Sequence, residues 1–160
     1  LTEDLADHAI NWVRQQKTLM PDKPFFMYFA PGATHAPHHV PKEWIEKYKS
    51  KFAHGWDRQR VITYERQKEL GVIGPDAELT SRHAEIPAWD DMDPALKPVL
   101  EREMEVYAAF LEHTDHHVGR LVDALDDLGV LDDTLVYYIV GDNGQAPRGR
   151  RTARSTSTSR

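Results

Sequence analysis

Two polar clusters in this chain carry residue types that could do chemistry. The first is Ala33-Thr34-His35-Ala36-Pro37-His38-His39-Val40-Pro41, three histidines in a loop stiffened by prolines. Imidazoles of this kind can act as a general acid or donate to an anion. They are also zinc ligands, but His38 and His39 are adjacent and no Cys or HExxH pattern supports such a site. The alternative reading is a surface loop with solvated side chains. His35 is the best placed of the three, being the first polar side chain capable of proton transfer after Pro31-Gly32. The second cluster is Gly141-Asp142-Asn143-Gly144. Asp142 and Asn143 offer a carboxylate and an amide oxygen, ligands suited to a hard cation, and the flanking glycines let the backbone turn around one. Asp-Asn-Gly is also ordinary turn chemistry, and that alternative stands beside the metal.

The elements that position these clusters follow from hydrophobic spacing. Leu5, Ala9, Ile10, Trp12, Val13 and Gln16 follow a helical period, with Thr2 as N-cap and Met20-Pro21 as breaker. Phe25 to Ala30 is a short apolar run that predicts a strand buried on both faces. Lys42 to Tyr48 predicts a short helix entered through Pro41. A helix from Asp57 to Leu70 follows, with Asp57 as N-cap and Gly71 as its stop. Residues 72–94 are irregular, and Trp44, Trp56 and Trp89 serve as their local anchors. The longest helix runs from about Pro98 to Leu128, with an apolar stripe of Leu100, Met104, Tyr107, Leu111, Val118, Leu121, Val122 and Leu125. Asp115 falls on that stripe, where a carboxylate needs a hydrogen-bond partner. His113, His116 and His117 are expected to flank it on a solvated face. Thr134 to Val140 predicts a second buried strand.

Buried strands separated by helices predict an α/β domain with a parallel sheet. Ligands of such sheets sit beyond the carboxyl ends of the strands. His35 and Asp142-Asn143 each follow a predicted strand, so the topology would bring both to one sheet edge.

Composition narrows the function classes. The chain has 160 residues, 20 basic and 26 acidic, for a net charge of −6. Five arginines lie in residues 145–160, leaving residues 1–144 with 15 basic against 26 acidic side chains. That acidic body is a poor match for nucleic acid. No apolar run approaches the roughly 20 residues of a membrane helix. Cysteine is absent, which removes disulfides, thiolate-bound zinc and a thiol nucleophile. Leu1-Thr2-Glu3-Asp4 reads as neither an initiator start nor a signal peptide.

Lys23-Pro24 through Val40-Pro41, Phe110 through Leu121, and Asp133 through Gly144 resemble, in order, the central segment, the long helix, and the strand and metal loop that follow it in bacterial arylsulfatases. The resemblance spans almost all of residues 1–144. It implies an alkaline-phosphatase-like α/β fold, with a mostly parallel sheet flanked by helices, incomplete in this chain. It implies a calcium-dependent sulfate-ester hydrolase in which a formylglycine hydrate attacks sulfur. His35 then matches the histidine that contacts the sulfate and helps protonate the leaving oxygen, and Asp142 and Asn143 match two calcium ligands. A cation and a histidine there would stabilise charge developing on the sulfate oxygens.

The departures matter equally. The family's nucleophile lies in a C/S-x-P-x-R motif, and no serine here begins that pattern. The paired aspartates of the family's first strand, its sulfate-gripping Lys and His, and its later lysine have no counterpart. The chain therefore reads as a central piece of a sulfatase catalytic domain, inactive alone. Residues 145–160 depart from the family's glycine-rich continuation, and the expectation for them is a disordered Arg/Ser/Thr tail arising from a frameshift. Two rival readings are a phosphatase or phosphodiesterase of the same superfamily, and a non-enzymatic polyanion-binding protein acting through the arginines. A sheet lacking neighbours would expose strand edges and favour aggregation.

Overall fold

A computed structural model describes residues 1–140. Asp142, Asn143, the end of the second predicted strand's loop and the arginine-rich tail lie outside the described residues. The described residues divide into two compact units, one of residues 1–39 with 113–140, the other of residues 40–112. The described residues form four helices: α1 (Thr2–Leu19), α2 (Lys42–Glu46), α3 (Gly55–Glu69) and α4 (Lys97–Asp127). None is long and apolar enough to cross a membrane.

In the first unit, α1 has Leu1 at its N-cap, not Thr2; Thr2 is the first helical residue and is buried. Glu3 and Asp4 occupy the first turn, where the helix dipole favours negative charge. The chain reverses after Met20, and Lys17 Nζ donates to Pro21 O at 2.8 Å and Lys23 O at 3.1 Å, tying the turn to the helix. Ile10, Leu121 and Ala124 form the buried cluster, with Ala9, Met27 and Phe29 packed against it.

The two apolar runs are extended but form no strand among the described residues. In the first, Met27 and Phe29 pack inward while Phe26 and Tyr28 are 88 % and 83 % exposed. The expectation of burial on both faces is thus corrected to burial on one. In the second, Leu135, Tyr137 and Ile139 are all exposed. The reason is physical: a strand is defined by ladder hydrogen bonds to a neighbour, and the described residues offer these segments none. The parallel sheet expected here is not formed among them.

In the second unit, α3 starts two residues before the expected Asp57 and takes His54 as N-cap. Gly71, at φ +69°, ends it as expected, with Val72 N donating to Gln67 O at 2.9 Å. Gly129 ends α4 the same way at φ +66°, with Val130 N on Leu125 O at 3.1 Å. Asp57 has another task. Its Oδ2 accepts from Trp89 N at 2.8 Å and its Oδ1 from Arg82 at 2.9 Å, pinning the irregular segment to α3. Trp56 and Trp89 meet edge to face at 4.8 Å, and Trp56 Nε1 donates to Pro87 O, so both anchor that segment as expected.

Asp57 has a pH consequence. The Trp89 N–H, then the Arg82 guanidinium, hold its carboxyl below the ordinary 3.8. Glu105 is also held below its ordinary 4.5: burial pushes it up, but Arg102 and the Ser50 N–H more than offset that. A depressed folded-state pKa means the unfolded chain binds the proton more readily. The stabilisation is therefore whole above about pH 5 and is lost as pH falls through the carboxylate range. Urea midpoints measured from pH 6 to 3 should fall, and Asp57→Asn should flatten part of that fall.

Candidate functional site

The loop after Phe29 carries His35 on the surface. Its backbone N–H donates to Gly32 O at 2.8 Å, closing a turn, and its ring Nδ1 lies 2.6 Å from Ala36 O. A carbonyl only accepts, so Nδ1 carries the hydrogen and Nε2 is turned away from that bond, available to a ligand. His38 Nε2 contacts Thr34 O at 3.1 Å. His38 and His39 are exposed. The loop thus holds His35 by its own backbone while leaving one ring nitrogen presented. No described residue adds a second charged group to it, and the juxtaposition with Asp142 and Asn143 lies outside the described residues.

The long helix departs from expectation at its histidines. His113 and His117 are buried, at 6 % and 5 % exposure, whereas a solvated face was expected. Asp115 is exposed rather than buried, and accepts from Tyr138 OH at 3.3 Å. Leu111, expected on the apolar stripe, is half exposed. The buried face of α4 is rotated from the predicted stripe: Phe110, His113, Thr114, His117, Leu121, Ala124 and Leu125 are buried, and in the first unit Ala124 and Leu121 pack against Ile10 of α1.

His113 and His117 are one turn apart, with Nε2 atoms 3.1 Å apart and rings edge to face at 4.4 Å. Arg120 Nη1 lies 2.9 Å from His117 Nδ1, and its Nη2 meets Asp7 Oδ1 on α1 at 2.6 Å. Glu3, in the first turn of α1, brings a carboxylate to the same place: one ligand atom from each of Glu3, His113 and His117 falls within 4.8 Å of the others. Burial, then the neighbouring His113 and Arg120, push the His117 pKa down from its ordinary value. Sequence reading missed this group. The i, i+4 spacing of two histidines was the available signal for one half of it; Glu3 gave none.

The model of the Sulfatase family matches residues 1–159. An uncharacterized sulfatase of Schizosaccharomyces pombe is 35 % identical over 141 residues, covering 82 % of this chain and 24 % of that protein. An arylsulfatase of Klebsiella aerogenes is 31 % identical over 150 residues, covering 91 % of this chain and 30 % of that protein. This chain belongs to the sulfatase family. It spans about a quarter to a third of the length of these relatives.

Calcium is the family's expected ion, and it takes six to eight oxygen ligands. Glu3, His113 and His117 do not fit it, because two of the three donors are imidazole nitrogens. The described residues gather no oxygen-only cage.

Proposed function

We propose that residues 1–144 form part of the catalytic domain of an arylsulfatase-like sulfate-ester hydrolase. The observation that carries this reading is the family match across nearly the whole chain. The 31 % identity to an arylsulfatase supports the ester class. In this reading His35 contacts the sulfate through Nε2. In its imidazolium form it hands a proton to the leaving oxygen, so that the alcohol departs neutral. Its Nδ1–H bond to Ala36 O keeps the ring oriented for that task. Calcium dependence enters through Asp142 and Asn143, which supply two of the oxygens such an ion requires. The nucleophile lies outside the sequence given, since no residue of the chain sits in a C/S-x-P-x-R motif.

The test uses an aryl sulfate such as 4-nitrophenyl sulfate. The 160-residue chain alone should give no turnover above the buffer rate. A longer protein containing this sequence should hydrolyse it, and His35→Ala there should lower kcat by about 10²–10⁴ fold, with chelation of calcium abolishing the rate. Turnover by the 160-residue chain, or an unchanged rate in His35→Ala, would overturn the assignment. Preference for a phosphate over a sulfate ester would move the protein to the phosphatase branch.

A further inference from the structure

We propose that Glu3, His113 and His117, none of them among the residues assigned above to the sulfate-ester reading, form a binding site for a divalent transition-metal ion of the zinc class. Three observations carry it. The donor set is two imidazoles and a carboxylate, the chemistry such ions prefer. The two Nε2 atoms already stand 3.1 Å apart. Two zinc–nitrogen bonds of about 2.0–2.1 Å at a tetrahedral angle put their nitrogens about 3.3 Å apart, so the imidazole pair needs almost no rearrangement. Both rings are buried on one turn of α4, which fixes their orientation, while Glu3 is exposed and can swing its carboxylate to close the third corner.

The hydrogen-bond pattern defines what binding must change. Arg120 only donates, so His117 Nδ1 accepts from it. His117 Nε2 then carries the hydrogen and donates to His113 Nε2. His113 is thereby already in the ligating tautomer, with its Nε2 lone pair directed into the cluster. On binding, the His117 proton leaves Nε2 and one is taken up at Nδ1, so the ring stays neutral and the ion occupies the Nε2 lone pair. Arg120 Nη1 must release that ring, but the guanidinium keeps its bond to Asp7.

The experiment is calorimetric titration of the 160-residue chain with Zn²⁺ alone in chelator-free buffer, with ¹⁵N spectra of the histidine rings. One ion per chain is expected, with the ring nitrogens of His113 and His117 shifted and those of His35, His38 and His39 unmoved. Glu3→Gln, an exposed change that spares the fold, should weaken binding by at least about tenfold, and His117→Ala more. Replacing His35, His38 and His39 together by Ala should leave it unchanged. Absence of binding, unchanged affinity in Glu3→Gln, or loss of binding in the triple loop variant would each overturn the site. Should His117→Ala fail to fold, the Glu3→Gln affinity and the ring shifts of the natural chain decide.

Discussion

Gly55→Ala should be among the most destabilising single substitutions in the second unit. Gly55 begins α3 at φ +73°, where an L side chain is strained by about 1–2 kcal/mol. A Cβ added there would fall on Cγ, Cδ1 and Cδ2 of Trp89. Trp89 is buried, is stacked edge-on against Trp56, and has its backbone N–H tied to Asp57, so it has little freedom to retreat. Overpacking of this kind adds about 1–3 kcal/mol, for a total of about 2–5 kcal/mol. The comparison that isolates the clash is Gly71→Ala. Gly71 has nearly the same φ, +69°, but open space around its Cβ direction, so only the backbone strain applies. Urea unfolding followed by tryptophan fluorescence should place the Gly55→Ala midpoint well below that of Gly71→Ala. Equal midpoints would mean that Trp89 yields without cost.

Glu105→Ala should cost about 1–3 kcal/mol, and Glu105→Gln clearly less. The carboxylate is buried on α4, with one oxygen accepting from Ser50 N at 2.7 Å and the other from Arg102 Nη1 at 2.7 Å. Ser50 sits at φ 60°, an uncommon conformation for a side-chain-bearing residue, and Glu105 is what holds its N–H. Truncation to Ala removes the charged acceptor from that donor and leaves Ser50, itself exposed, to water. Arg102 is partly exposed and retains Glu46 at 3.4 Å, so its loss is largely made up by water and that neighbour. Gln keeps an acceptor for Ser50 but gives up the ion pair. Circular dichroism melts of the three proteins would rank natural chain, Gln, Ala in falling order; an Ala variant as stable as the natural chain would mean that Ser50 finds another acceptor.

The metal proposal and the sulfate-ester reading concern different parts of the first unit. His35 lies on the loop after the first extended run, whereas the proposed ion lies where the first turn of α1 meets α4. Each can fail without the other. Loss of zinc binding would leave the family and His35 untouched, and an inactive longer protein would leave the imidazole pair in place.

The helices were legible along the chain because their boundaries are local events. Pro21, Gly71 and Gly129 stop helices wherever they occur in such a pattern, and the structure ends α1, α3 and α4 within a residue or two of them. Family membership was legible too, because motifs in order survive whether or not their neighbours are present. His35, Asp142 and Asn143 were singled out from strand-end positions. The structure shows how the backbone presents His35, while the other two lie outside the described residues.

What only the tertiary structure decided was partnership. Whether Phe25 to Ala30 becomes a strand depends on a second backbone at hydrogen-bond distance, which no pattern within the run can supply. The same holds for the buried face of α4. Helical periodicity marks several adjacent stripes, and it is packing against another element, here α1 through Ile10, that selects one; His113 and His117 are buried and Asp115 is exposed. Glu3 joins those histidines only because α1 folds back onto α4, a contact between residues far apart in the chain. Composition and spacing determine what each segment can become; which side chains meet depends on packing that only the folded chain defines.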